Sequence, residues 1–134
     1  MIKKIIITVF ILAITGGFIG YKMYNKPHVD VAETSAEINV NANDLMSEFS
    51  INENTANKKY LEKIVAVSGK ITSITIENEK PIITLQTNDD FGSILCHFDE
   101  KNATINQLKE GQNTTIKGIC TGYLMDVVLV KCAL

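Results

Sequence analysis

The stretch Ile64-Val-Ala-Val-Ser-Gly-Lys-Ile-Thr72 decides the fold, because the hydrophobic pattern changes there to a period of two. Val65, Val67 and Ile71 alternate with smaller or polar residues, which is typical of a β-strand with one buried face. Gly69 interrupts the alternation and predicts a bend. We therefore expect one long, bent strand to begin at Ile64.

Four shorter strands are predicted downstream, separated by turn sequences, at residues 82–87, 93–98, 113–121 and 126–134. Residues 102–108 are the one non-strand element between them and predict a short helix between the third and fourth strands. This order, with a long first strand that can serve both sides of a closed barrel, predicts an all-β, five-stranded OB-fold barrel. An SH3-like barrel is the alternative, but it would not place a helix at 102–108.

The residues before the barrel predict a helical lead-in and a tether. Asn43 is expected to cap a helix that places Leu45, Met46 and Phe49 on one side, and a further helical turn is expected to end near Tyr60. We interpret Phe49 and Tyr60 as packing residues. Residues 28–42 are acidic and lack a periodic apolar face, so we expect a solvated tether there and place the OB-fold domain at 43–134.

The N-terminal residues 1–27 predict a membrane segment. The run from Ile5 to Tyr21 has no charged residue and is flanked by lysines on both sides. A helix of that length reaches about 25 Å, at the short end for a membrane span. No Ala-x-Ala cleavage pattern follows the run, so we favour an uncleaved transmembrane helix over a cleaved signal peptide. An N-terminal anchor with so short a head most simply leaves the C-terminal domain outside the membrane.

Charge argues against nucleic-acid binding. The chain has no Arg and no Trp, and its formal net charge is −2. The charge is +4 over residues 1–27, −6 over 28–57 and zero over 58–134. The barrel therefore has no excess of the cations that displace counterions from phosphates. Near the expected binding face, Lys70, Lys80 and Lys117 are set against acidic residues at positions 77, 79, 89 and 90.

Residues 43–134 resemble a known family. The likeness is carried by Tyr60 and by the segments Val67-Ser-Gly-Lys-Ile71, Phe91-Gly-Ser-Ile-Leu-Cys-His-Phe98, Leu108-Lys-Glu-Gly-Gln112, Ile116-Lys-Gly-Ile-Cys120-Thr-Gly122 and Val127-Val-Leu-Val-Lys-Cys132. They are similar to the tRNA-anticodon-binding-like OB-fold family of small exported bacterial proteins. The family name implies a fold relationship to anticodon-binding domains, and for its exported members it implies no known ligand. With the anchor, the resemblance implies a single-pass protein of the bacterial cell membrane whose domain lies on the periplasmic or extracellular side.

OB-folds bind ligands across their second and third strands, and the alternation places Thr84, Gln86, Leu95 and His97 on that face, with Phe91 in the adjacent turn. A solvated surface role for His97 is the simpler interpretation. We expect a binding module whose ligand is an envelope protein, a peptide or a saccharide. A single-stranded nucleic-acid-binding protein and a purely structural envelope protein are the alternatives.

The three cysteines are expected to be structural. Cys96 alternates with Ile94 and is predicted to lie inside the barrel. Cys120 and Cys132 lie on the last two strands and could form a disulfide if the domain is outside; two free, buried thiols are the alternative. The sequence contains no nucleophile, phosphate-loop or dinucleotide motif and no metal-ligand spacing, so we predict no enzyme activity, cofactor or metal.

Overall fold

The computed structural model describes residues 1–24, 30–99 and 104–134. A long helix α1 (Ile2–Tyr24) comes first, then a short strand β1 (Ile38–Asn41) and two helices, α2 (Ala42–Ile51) and α3 (Glu53–Tyr60). The remaining elements are β2 (Ile64–Glu77), β3 (Lys80–Leu85), β4 (Ile94–His97), a 3-10 helix (Ile105–Gln107), β5 (Asn113–Tyr123) and β6 (Val127–Ala133).

Strands β2 to β6 close into a mixed barrel. β2 pairs with both β3 and β5, β3 pairs with β4, β4 pairs in parallel with β6, and β6 pairs with β5. The long first strand makes this closure possible, because residues 64–70 pair with β5 and residues 71–77 pair with β3. The change of partner follows Gly69, at which a Cβ atom would lie 3.0 Å from the Cβ of Ala42. The predicted OB-fold barrel and its long, bent first strand are confirmed.

The barrel carries an additional strand that the sequence analysis placed in the tether. β1 lies parallel to β2, with Ile38 opposite Val65 and Asn41 opposite Ser68. Because β5 occupies only one side of this part of β2, the other side remains open to β1. The prediction of a solvated tether over 28–42 is therefore wrong for residues 38–41, and residues 25–29 lie outside the described part of the chain.

Helices α2 and α3 extend the barrel core. The side chain of Asn41, not of Asn43, caps α2 and accepts a hydrogen bond from the Asp44 backbone N–H at 2.8 Å. Phe49 of α2 and Tyr60 of α3 are buried, and their ring centroids lie 5.9 Å apart. Their interpretation as packing residues is confirmed.

The element between β4 and β5 is shorter than predicted. The 3-10 helix Ile105–Gln107 stands where a helix over 102–108 was expected, and residues 100–103 lie outside the described range. Ile105 is buried in the barrel core, so this single turn still covers one opening of the barrel.

The pairing of β5 with β6 corrects the disulfide prediction. The hairpin pairs Tyr123 with Val127, and Cys120 lies opposite Leu129 rather than opposite Cys132. The Cys132 thiol instead contacts Cys96 and accepts a hydrogen bond from the backbone N–H of His97. All three cysteines are free and buried. The predicted 120–132 bridge assumed a hairpin centred on residue 126, whereas the pairing of Tyr123 with Val127 centres it on residue 125.

Helix α1 is the apolar element predicted at the N-terminus. Residues 6–24 have a mean hydropathy of 1.8, and none of this segment is buried against the rest of the chain. The helix is long and apolar enough to cross a membrane. A membrane-spanning segment and a signal sequence share these properties.

Candidate binding face

Three neighbouring strands present a row of half-buried side chains on the outside of the barrel. Thr84 of β3 lies opposite Leu95 of β4, and Leu95 lies opposite Val128 of β6. Their neighbours along each strand point into the barrel core, because side chains alternate across a strand. The row therefore runs across the face that OB-folds use for ligands.

A cleft of about 350 Å³ lies on one side of Val128. His97, which pairs with Ile82, forms part of its wall together with Val128 and Val130. The β2–β3 turn and the end of β4 complete the rim with Glu77, Asn78, Lys80 and Asp99.

A second cleft, of about 340 Å³, lies on the other side of Val128. Leu124 and Tyr123 come from the β5–β6 hairpin, and Asn57 comes from α3. The Asn57 Oδ1 atom is buried and has no hydrogen-bond partner among the described residues. Val128 thus lines two shallow clefts, and Asn57, which lines the second, has a buried acceptor atom without a partner among the described residues.

Exposed apolar side chains extend the face at the loop end. Phe91 in the β3–β4 loop is 84% exposed, and Leu124 and Met125 in the β5–β6 loop are 93% and 63% exposed. The two loops are joined by Asp126, whose carboxylate accepts hydrogen bonds from the backbone N–H and the hydroxyl of Ser93 at 2.8 and 2.7 Å. These bonds fix the relative position of the two apolar loops.

Some of the candidate residues predicted from the sequence lie on the outer face of the strands, and others lie beyond the strand ends. Thr84, Leu95 and His97 lie on the outer face, as their alternation predicted. Gln86 follows the end of β3, where its backbone N–H donates to the carbonyl of Lys70, and its side chain is exposed. Phe91 lies in the loop at the far end and is not part of the row.

Sequence reasoning missed the contribution of β6. Val128 and Val130 alternate with the buried Val127 and Leu129, so their outward orientation could have been inferred from the sequence. The parallel pairing of β4 with β6 follows from the OB-fold topology, which would then have placed Val128 beside Leu95.

The charges around this face are mixed, with an acidic excess. Lys80 is 3.4 Å from the Asp99 carboxylate, and both side chains are well exposed. The Lys117 ammonium donates to the backbone carbonyls of Ala32 and Thr34 at 2.9 and 3.2 Å, away from this face. Lys70 lies on β2 opposite Asn113 of β5, also away from it. In the described ranges, no group of three or more His, Cys, Asp or Glu residues is arranged to hold a metal ion.

Known proteins were compared with this chain. A search of curated proteins found no match. Among solved structures, the chain is similar to a Klebsiella pneumoniae protein described as a "putative nucleic acid-binding lipoprotein", with 21% sequence identity and a TM-score of 0.59. The match covers 81% of this chain and 98% of the Klebsiella protein, and at this identity it shows a common fold. The tRNA_anti-like family matches residues 1–134, and the chain therefore belongs to the tRNA_anti-like family.

Proposed function

We propose that this protein is a membrane-anchored, non-catalytic OB-fold module of the bacterial envelope that binds another protein through the face centred on Val128. The observation that carries the proposal is the apolar part of the row, Leu95 and Val128, with Val130 beside it on β6. Further apolar side chains are exposed in the two loops at the end of this face. Apolar surface grouped in this way is typical of protein contact sites. The proposed partner has an apolar patch of its own.

The charges near the face favour a protein over a nucleic acid. Glu77 and Asp99 line the cleft beside His97, and Lys80 is already paired with Asp99. A phosphate backbone needs several free cations and aromatic platforms on which bases stack. The face has an excess of acidic side chains and so lacks the free cations that a phosphate backbone requires. The exposed Phe91 beside the face could stack on a base, but stacking does not supply that positive charge.

Single-stranded nucleic acid is the second candidate ligand. It is favoured by one observation, the description of the structurally similar Klebsiella protein as nucleic acid-binding. A saccharide is a weaker candidate, because Ile82, Val128 and Val130 form the apolar wall of the cleft beside His97 and the Phe98 ring there is buried, so it is not available for stacking.

Helix α1 supports the membrane part of the proposal. Its apolar side chains over residues 6–24 are exposed and are not buried against the rest of the described chain. In this proposal the barrel lies on the outer side of the cell membrane, where cytosolic RNA is absent.

The proposal is tested by photo-crosslinking in intact cells. A photoreactive amino acid replaces Leu95 in one version of the full chain and Asn113, which is exposed on β5 and away from the face, in the matched control. We expect a discrete protein adduct from position 95 and none from position 113. Introducing Val128→Asp beside the probe should abolish the adduct, since a carboxylate in the apolar row would have to be desolvated.

The same experiment separates the candidate ligands. Adducts are digested with nuclease or protease before electrophoresis. A nuclease-sensitive adduct at position 95 would overturn the protein proposal in favour of the nucleic-acid alternative. A protein adduct that forms equally at both positions, or that survives Val128→Asp, would show that this face does not bind a specific partner.

A further inference from the structure

A separate groove lies beside β1, away from the face centred on Val128. Its volume is about 630 Å³. All four residues of β1 line it, and the facing wall comes from Ser47 and Glu48 of α2 and from Lys59 and Tyr60 of α3. The groove thus runs between an edge strand and a helical wall.

The backbone of β1 is available along this groove. In the described part of the chain, β1 pairs with β2 on one side only. The backbone N–H of Glu37 donates to the Ile64 carbonyl at 2.9 Å, which identifies 37, 39 and 41 as the positions that face β2. Because backbone groups alternate along a strand, those of Ile38 and Val40 face the open side. Two N–H and two C=O groups are therefore presented to a ligand.

Tyr60 provides a second, independent indication of a ligand. Its side chain is buried and lines the groove. The Lys59 ammonium and the Glu48 carboxylate lie near its hydroxyl, but no group among the described residues meets it with the geometry of a full hydrogen bond. Buried hydroxyl groups are almost always hydrogen-bonded, because an unpaired one has lost its contacts with water. A ligand in the groove would supply the missing partner.

The charges in the groove restrict the ligand. Lys59 donates to both carboxylate oxygens of Glu48 at 2.8 Å, so this ammonium is already neutralised. Asp44 adds a further carboxylate at the start of α2, where the Asn41 side chain binds it. The excess of negative charge disfavours phosphates and acidic peptides, and it favours a neutral or basic ligand.

We propose that this groove binds an extended, neutral or basic peptide segment as an additional strand on the open edge of β1. The peptide backbone pairs with Ile38 and Val40, and a peptide group or side chain hydrogen-bonds to the Tyr60 hydroxyl. Pairing with a free edge is a general way in which folded domains take up extended peptides. The site is distinct from the face proposed above, so either proposal can fail without the other.

The test uses the full chain, labelled with ¹⁵N, in detergent micelles. The probe is the capped peptide acetyl-Lys-Val-Thr-Val-Lys-amide, which is basic and strand-forming. We expect the amide signals of Ile38 and Val40 to shift and their hydrogen exchange to slow at least tenfold at saturation. Matched control peptides carry N-methyl groups either on both valines or on the threonine and the final lysine.

The methylated peptides report strand pairing directly. In a paired peptide, only alternate N–H groups point at β1, so one methylated peptide should bind at least tenfold more weakly and the other within threefold of the parent. Equal binding of both methylated peptides would overturn the proposal. Shifts in the groove with maltoheptaose but not with the peptide would overturn it as well.

Variants of the protein provide an independent readout. Val40→Pro removes an outward N–H without touching the β1–β2 hydrogen bonds, and Val40→Ala is the matched control that keeps it. We expect Val40→Pro to weaken peptide binding at least tenfold and Val40→Ala to change it less than threefold. Tyr60→Phe tests the hydroxyl and should weaken peptide binding about threefold to tenfold. If Val40→Pro does not fold, the proposal is tested by the affinity of Tyr60→Phe for the peptide and by the affinities of the two methylated peptides for the unmodified protein. Binding by a folded Val40→Pro that equals that of Val40→Ala would contradict the proposal.

Discussion

Asn78 and Glu79 form the two-residue turn between β2 and β3, and both have left-handed backbone angles, with φ of 49° and 67°. Glu77 and Lys80 pair directly on either side, so the turn has the form of the common type I′ hairpin. That turn favours Gly at its second position, where a side chain strains the backbone. Glu79 therefore occupies a position at which the sequence departs from the local optimum.

We expect Glu79→Gly to raise the free energy of unfolding by about 0.5–1 kcal/mol, because relief of the left-handed strain exceeds the added freedom of the unfolded chain. The measurement is urea unfolding of the full chain in micelles, followed by circular dichroism of the barrel. Glu79→Ala removes the same carboxylate but keeps the Cβ atom. Equal stabilisation by both substitutions would assign the effect to charge and not to backbone strain.

Two buried thiols and one buried phenol predict that the folded protein loses stability at alkaline pH. Burial raises the pKa of the Cys120 and Cys132 thiols and of the Tyr60 phenol. In each case the unfolded chain releases its proton at a lower pH than the folded chain does. Their contribution is thus complete below the unfolded pKa of about 8.5 for Cys and 10 for Tyr, and it is lost as the pH rises above these values.

We expect the free energy of unfolding to fall between pH 8 and pH 10, with a slope of up to about 1.4 kcal/mol per pH unit for each thiol. Urea titrations at several pH values measure it. Cys120→Ala should lower stability at pH 7 but should also make the pH dependence shallower. An unchanged slope in Cys120→Ala would mean that this thiol does not titrate in the way its burial requires.

At the scale of the elements, most strands could be predicted from alternation, and the exceptions have physical causes. β2 was predicted well because Val65, Val67 and Ile71 alternate with smaller or polar residues and all three are buried. β1 was missed because four residues provide only two apolar positions, and the reason for its pairing, an open edge on β2, lies far away in the sequence. The outward orientation of Thr84 and Leu95 was predictable from alternation within their strands. The two clefts were not, because they form between side chains of β6 and side chains of the neighbouring loops and helices.

Gly118 shows how closely β5 approaches β6. A Cβ atom at this position would lie 2.7 Å from the Cys132 Sγ atom and 2.9 Å from the Leu129 Cβ atom. We expect Gly118→Ala to lower the free energy of unfolding by about 1–3 kcal/mol, because a rigid strand must move. Adding Cys132→Ala removes one of the two clashes, so the double substitution should cost less than the sum of the single ones. Strict additivity would contradict this packing.

The same register makes a prediction about thiol oxidation. Cys132 contacts Cys96 across β4 and β6, while Cys120 lies opposite Leu129. We expect any intramolecular disulfide formed under a mild oxidant to join Cys96 and Cys132. Peptide mapping by mass spectrometry without reduction measures this, and Cys96→Ala should abolish the cross-linked peptide. A bridge between Cys120 and Cys132 would instead show that β5 and β6 can shift register.

At the scale of the whole molecule, α1 predicts how the protein fractionates. None of its 19-residue apolar segment is buried against the rest of the described chain, so we expect the full chain to stay in the membrane pellet after carbonate extraction. Placing two charges at the centre of the helix, Ile11→Lys with Ile14→Lys, opposes insertion by about 2.5–3.5 kcal/mol each and should release the protein. Ile11→Leu with Ile14→Leu is the matched control. A shortened mature protein in the soluble fraction would identify the helix as a cleaved signal peptide.

The connection between α1 and the barrel has a mechanical consequence. Tension applied to the chain at Tyr24 reaches the barrel first through residues 30–37, where the Lys117 ammonium holds the carbonyls of Ala32 and Thr34. The next attachment is the four-residue β1. Both attachments involve fewer hydrogen bonds than the closed barrel behind them, so we expect this segment to detach under tension before the barrel unfolds. Its opening would add 12 residues to the tether, with an extended length of about 40 Å at about 3.4 Å per residue, and would remove the edge strand while the barrel stays folded.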